Sequence, residues 1–88
     1  MVRREKIEII MELLEESKEP KKITYLMHKT NTNQINCKRY IDALAKAGFM
    51  EIIGDPPRVK YKATIKGIGW LKHLRESSKG LEEFNEYW

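Results

Sequence analysis

Ile7, Ile10, Met11 and Leu14 recur at helical spacing, with Glu8, Glu12, Glu15 and Glu16 on or near the other side. This pattern predicts a first amphipathic helix from about Arg4 to Ser17. Glu19-Pro20 ends it, because a residue preceding proline disfavours helical geometry. A short second helix is expected from Thr24 to about Lys29, with Leu26 and Met27 as its apolar side and Thr24 as a turn or cap residue. The polar run Thr30-Asn31-Thr32-Asn33 breaks the pattern, and Asn33 suits the N-cap of a third helix. In that helix Cys37, Ile41 and Leu44 form one stripe, flanked by Tyr40. Gln34 falls close to the stripe and is expected to lie partly inward. Ile35, Arg39, Asp42 and Lys46 point the opposite way, with Thr32, Asn36 and Ala43 nearby and Lys38 to one side. Gly48 fits the left-handed position that closes a helix.

The period then changes from helical to two. Met50–Ile53 and Val59–Ala63 are short runs separated by Gly54-Asp55-Pro56-Pro57-Arg58, and Val59, Tyr61 and Ala63 alternate with Lys60 and Lys62. That alternation predicts a hairpin with one half-buried face and its prolines at the tip. Thr64 is the expected N-cap of a last helix carrying Ile65, Ile68, Leu71 and Leu74. Leu74, Leu81 and Trp88 are spaced by heptads, with Leu71 and Phe84 also apolar, which would make a dimerisation seam if the helix were continuous. Ser77-Ser78-Lys79-Gly80 is a candidate break, after which the same residues would fold back onto the monomer's core. Helix-turn-helix followed by hairpin is the order of a winged helix. The expected class is α+β, mainly α, with three helices, a two-strand wing and a C-terminal helix. Residues 1–66 would form the helix-turn-helix domain and residues 67–88 a C-terminal, dimerising segment.

Charge sharpens this picture. The chain has 88 residues, one domain's worth, and a net charge of +4 that is unevenly spread. Pro20–Ala47 carries six basic residues against Asp42 alone, and Gly54–Lys66 carries four against Asp55, whereas Met1–Glu19 has four basic and six acidic residues. The positive excess therefore sits on the helix-turn-helix and the hairpin, and a polyanion is the matching partner. The first helix, with its acidic face, is scaffold.

The single cysteine, Cys37, excludes an internal disulfide and falls on the core stripe of the third helix. The start is amphipathic rather than continuously apolar, so no signal peptide is expected, and no apolar run approaches the roughly 20 residues that span a membrane. These features suggest a cytoplasmic, nucleoid-associated protein. His28, His73 and Cys37 do not cluster in sequence, and no phosphate-binding loop or nucleophile motif is present. Neither an enzyme nor a metal or other cofactor is expected.

Double-stranded DNA is the partner these residues suggest. Asn36 and Arg39 have the side chains that pair with adenine and guanine edges, and Ile35 can meet a thymine methyl. Thr32, Asn33, Gln34, Ile35, Asn36, Lys38 and Arg39 form the candidate reading face, against the plainer alternative of a solvated helix surface. Lys21, Lys22, Thr24 and Lys29 are candidate phosphate contacts, since lysine positions without specifying a base. Arg58, Lys60 and Lys62 would let the wing grip an adjacent backbone or reach the minor groove. Asp42 would repel phosphate, so it should lie at the groove's edge or pair with Arg39 or Lys46.

At LMHKTNTNQINCKRYIDALAKAGFM, and again at YKATIKGIGWLKHL, the chain resembles the small archaeal winged-helix DNA-binding proteins, a family of regulators and abundant nucleoid proteins of about ten kilodaltons. The resemblance covers roughly Ile7 to Leu74 and departs at Thr32, where the turn usually carries an apolar residue. It implies a winged helix with the third helix as reader and a homodimer formed through the C-terminal helix. The expected function is thus a dimeric transcriptional regulator. The rivals are a non-specific architectural nucleoid protein and a protein–protein module on the same fold.

Overall fold

A computed structural model of the chain describes residues 6–76. It runs α1 (Lys6–Glu16), α2 (Ile23–Thr30), α3 (Gln34–Lys46), β1 (Met50–Ile53), β2 (Lys60–Ala63) and α4 (Ile65–Glu76). The architecture is the mainly helical winged helix-turn-helix that the pattern predicts. Its core joins Ile10, Leu13 and Leu14 of α1 to Leu26 of α2, Cys37, Ile41 and Leu44 of α3, Met50, Tyr61 and Ala63 of the hairpin, and Leu71 and Leu74 of α4.

The buried arc of α1 is wider than expected. Leu13 is fully enclosed while Met11 is only half-buried. Both α2 and α4 pack on this helix, so it buries more than one stripe. Its end is stitched into the hairpin. The Ser17 hydroxyl, completely buried, donates to the Leu13 carbonyl at 2.6 Å, and the Ser17 carbonyl accepts from Ala63 N–H at 2.8 Å. Lys21 then pairs with Tyr61 through two backbone bonds of 2.8 and 3.0 Å, an isolated bridge that ties the start of the helix-turn-helix to β2.

Helix α2 starts one residue before the expected Thr24, which lies exposed in its first turn and caps nothing. The capping position is Lys22, extended at φ −75° and ψ 155° with no side-chain cap bond. At the other end Asn31 adopts a left-handed conformation (φ 52°). Asn31 N–H bonds the His28 carbonyl and Thr32 N–H bonds the Met27 carbonyl, a Schellman closure in which asparagine takes glycine's usual place. Asn33 is the N-cap of α3, its Oδ1 accepting from Asn36 N–H at 2.8 Å. Helix α3 closes the same way as α2. Gly48 sits at φ +85°, its N–H on the Ala45 carbonyl and Phe49 N–H on the Leu44 carbonyl.

The wing is antiparallel in the register Met50↔Ala63, Glu51↔Lys62, Ile52↔Tyr61 and Ile53↔Lys60. Val59, expected in the second strand, precedes it and is half-buried. Asp55 accepts a backbone bond from Arg58 N–H at 2.8 Å, which closes the tip.

Thr64 caps α4 and does more besides. Its hydroxyl accepts from Gly67 N–H at 3.0 Å and donates to the Gly48 carbonyl at 2.7 Å, while its own N–H donates to the Phe49 carbonyl at 3.0 Å. Phe49 stacks on Trp70 with centroids 4.2 Å apart. These ties set the rotation of α4, and its buried face is Gly67, Leu71 and Leu74, with Trp70 half-buried. Ile65 and Ile68, expected on the apolar side, are instead 92% and 37% exposed. Helix α4 also runs through the boundary expected after residue 66, and its leucines belong to the common core.

Candidate nucleic-acid interface

Helix α3 has a clear division between its faces. Cys37, Ile41 and Leu44 are buried, and the opposite side presents Ile35, Asn36 and Arg39 to solvent. Ile35 is 74% exposed, second among the large hydrophobic side chains of the described residues to Ile65 at the start of α4. The side chains of Asn36 and Arg39 make no hydrogen bond or ion pair with any described residue, so their donors and acceptors are available to a partner. Lys46 is exposed at the other end of the helix.

Three residues of the expected reading face have other occupations or positions. Asn33 is exposed, but its side chain is engaged as the N-cap. Thr32 is half-buried, and its hydroxyl lies 2.9 Å from that of Thr30. Because the Thr30 hydroxyl donates to the Leu26 carbonyl at 2.7 Å, Thr32 is the donor of the pair. This part-buried hydroxyl pair stands where the resemblance led to an apolar residue being expected. Gln34, expected partly inward, is exposed. As the first residue of the helix it extends past the end of the Cys37 stripe, where no neighbouring element covers it.

Lys38 is less free than its place beside the reading face suggests. Its Nζ bonds Asp42 Oδ1 at 2.8 Å and lies 5.5 Å from the centroid of the Tyr61 ring. The hydrogen bond to Asp42, with the nearby Tyr61 hydroxyl adding to it, raises the lysine's pKa against a smaller opposing effect of burial. The ammonium thus stays charged while its charge is largely matched by Asp42, the carboxylate expected to pair with Arg39 or Lys46. In Cys37 burial pushes the thiol pKa up, against a smaller opposing effect of the neighbouring Thr32 hydroxyl, and the side chain is fully enclosed. It is core, as its place on the stripe implies.

The other expected contacts lie on α2 and the wing. Lys22, Thr24 and Lys29 are exposed and Lys21 is half-buried. Arg58 and Lys60 are exposed and Lys62 is half-buried, and none of their side chains pairs with a described carboxylate. Asp55 shares the tip with Arg58 through a backbone bond rather than an ion pair.

Two tyrosines and a lysine near this surface were not singled out by their chemistry in the sequence. Lys21 and Lys29 stand 5.4 and 5.6 Å from the centroid of the Tyr25 ring, whose hydroxyl donates to Glu16 Oε1 at 2.9 Å. The spacing Lys21, Tyr25, Lys29 at four-residue intervals is the signal that could have revealed this group. Tyr61 backs Lys38 as described. Lys66 donates to the Ala47 carbonyl at 3.1 Å and covers the Phe49 ring, placing a cation at the C-terminal end of α3.

Of the residues expected at a dimer seam, Leu71 and Leu74 are 2% and 3% exposed within the single chain. They are spent on its own core. Leu81, Phe84 and Trp88 lie outside the described residues.

A family model described as winged helix-turn-helix matches residues 3–82 of the chain. No curated protein matches it. Eight chains of solved structures do. One is the crystal structure of Sso10a-2, a DNA-binding protein from Sulfolobus solfataricus. It is 26% identical and superposes with a TM-score of 0.77, over 96% of this chain and 88% of that one.

Proposed function

The chain belongs to the winged helix-turn-helix family, and from that premise we propose that it binds double-stranded DNA by placing α3 in the major groove and the basic wing beside it. The observation that carries this reading is the bare face of α3. An isoleucine, an asparagine and an arginine stand together there, with no internal partner among the described residues. The likeness to a DNA-binding protein from Sulfolobus solfataricus supports it. Arg39 would read a guanine edge, Asn36 an adenine edge and Ile35 a thymine methyl. Lys21, Lys22 and Lys29, with Arg58, Lys60 and Lys62, would contact phosphates and fix the register.

The proposal includes a finer role. The protein acts as a dimeric transcriptional regulator in the cytoplasm, paired through Leu81, Phe84 and Trp88, with two reading helices on successive major-groove faces. It acts by binding and not by catalysis. Selection of bound duplexes from a random pool, repeated at two salt concentrations, tests this directly. A regulator should prefer one site by roughly 10³-fold or more over random duplex. Enrichment of no sequence, with salt-dependent binding retained, would instead identify an architectural nucleoid protein. Arg39→Ala should weaken the selected site by about 1–3 kcal/mol and relax its preference at one base position. Absence of salt-dependent duplex binding at low salt would leave a protein–protein module.

A further inference from the structure

The group around Tyr25 has a feature that free phosphate-contacting lysines do not need. Lys21 and Lys29 both approach the same aromatic ring, at 5.4 and 5.6 Å from its centroid. The ring itself is fixed. Its hydroxyl is bound to Glu16 on α1, and its backbone lies in the first turn of α2. Lys21 is fixed from the other side, since its N–H and carbonyl are both bonded to Tyr61 of the wing strand. An ammonium near an aromatic face is attracted by the ring quadrupole, which narrows the range of rotamers that a long lysine side chain samples. Side chains already confined lose less entropy when a ligand immobilises them. The surrounding charges are uneven. Lys21 has Glu19 at 3.9 Å, and Lys29 has no ion pair with a described residue.

We infer that Lys21, Tyr25 and Lys29 form a preorganised ledge for the phosphates of one DNA strand, in which Tyr25 is a positioning residue that holds both ammonium groups ready. The inference rests on the DNA-binding reading above and adds to it a part played by a side chain that touches no base. On that reading the ledge would meet the backbone bordering the groove that α3 enters. Tyr25 supplies the ring, Glu16 fixes the ring, and the lysines supply the charge. The phenol need not meet the nucleic acid at all.

The test is fluorescence anisotropy with a labelled 20-base-pair duplex, titrated at several salt concentrations, on the full chain and its variants. Tyr25→Phe keeps the ring and loses the bond to Glu16, and it should bind within about twofold of the parent protein. Tyr25→Leu removes the ring, and it should weaken low-salt binding by about 5-fold. It should also flatten the slope of log affinity against log salt by about 0.9, as one phosphate contact is lost. Adding Lys29→Ala to Tyr25→Leu should cost clearly less than Lys29→Ala costs alone, since the two act as a unit. Circular dichroism melts would show that the variants are folded. The inference is overturned if Tyr25→Leu, folded, keeps both affinity and salt slope, if the two effects simply add, or if Tyr25→Phe loses as much as Tyr25→Leu. Failure of the parent protein to bind duplex in a salt-dependent way would instead overturn the DNA reading itself.

Discussion

Alanine at Gly67 and alanine at Gly69, two residues apart on one helix, should change stability in opposite directions. A Cβ at Gly67 would lie 2.0 Å from the Phe49 carbonyl oxygen, 2.9 Å from its carbon and 3.1 Å from Phe49 Cα. That backbone has little freedom to retreat. Phe49 N–H is bonded to Leu44, its carbonyl accepts from Thr64, and its ring stacks on Trp70. Relief therefore requires α4 to move off by more than an ångström, which disturbs the Thr64 cap and the seating of Leu71 and Leu74. Overpacking of this kind costs about 1–3 kcal/mol, and a damaged cap adds about 1 kcal/mol. The better helix propensity of alanine returns at most about 1 kcal/mol. The net expectation for Gly67→Ala is a loss of about 1–3 kcal/mol. At Gly69 a Cβ would meet nothing within 4 Å, so only the propensity gain remains, and Gly69→Ala should stabilise by about 0.5–1 kcal/mol. Urea unfolding followed by far-ultraviolet circular dichroism measures both. A Gly67→Ala protein as stable as its parent would refute the close approach of α4 to Phe49, and with it the account of how that helix is oriented.

Asp42→Asn should release Lys38 and remove a negative charge from the side of the reading helix. Duplex affinity at low salt should then rise about 5-fold with a slope steeper by about 0.9; weaker binding would mean that the Asp42 bond holds Lys38 in a useful pose. Thr64→Ala removes the α4 cap and the bond to Gly48 together. It should cost about 1–2 kcal/mol by denaturant unfolding, and a change below about 0.5 kcal/mol would contradict the threonine's role as a clasp. Glu15 has its pKa lowered by the hydrogen bond from Lys18, and by Arg75 at 2.8 Å, against an opposing effect of burial. A lowered folded-state value means the stabilisation is present above the ordinary carboxylate range and is lost as pH falls through the folded value. Lys18→Ala and Arg75→Ala should therefore show a shallower fall in melting temperature on acidification than the parent, and equal slopes would dismiss the pairing.

The elements of this chain were legible because local signals agree with tertiary packing. Asn33 and Thr64 cap as their positions imply, Gly48 takes the left-handed closure, and Tyr61 and Ala63 alternate with Lys60 and Lys62 as a half-buried strand should. The misplacements share one cause. Ile65 and Ile68 fit an apolar stripe by period alone, but Thr64's bonds to Gly48 and Phe49 turn α4 so that glycine, tryptophan and leucines face inward. Those bonds join residues about 16 positions apart, a distance at which hydrophobic periodicity carries no information. Leu13 was missed because the width of α1's buried arc depends on how many helices pack against it. At the site, the free side chains Ile35, Asn36 and Arg39 were legible from helical angle. The engagement of Lys38 by Asp42 also has a sequence signal, the i,i+4 spacing, but Asp42 had two other basic neighbours to choose from. The Lys21–Tyr61 bridge had none, since a two-bond backbone pairing leaves no mark on side-chain pattern.

That bridge matters for how the reader and the wing act together. Tyr61 exchanges both backbone bonds with Lys21, lies across from Ile52 in the wing, and carries Lys38 of α3 over its ring. One residue, through its backbone and its ring, thus joins the approach to the helix-turn-helix, the wing and α3. Were the three joined only by flexible turns, each would settle on DNA separately, and each would lose its own conformational entropy on binding. Under the proposed DNA reading, joined at Tyr61 they would arrive as one surface, with that loss incurred on folding instead. The basic residues on either side of that tyrosine can then be set apart by function. Lys38 is paired with Asp42 and Lys21 lies near Glu19, whereas Lys22, Lys29, Lys60 and Arg58 have no ion pair with a described carboxylate. The net charge of the segment overstates what a phosphate backbone would meet, and the arrangement of the carboxylates Asp42, Glu16 and Glu19 decides which lysines remain available to it.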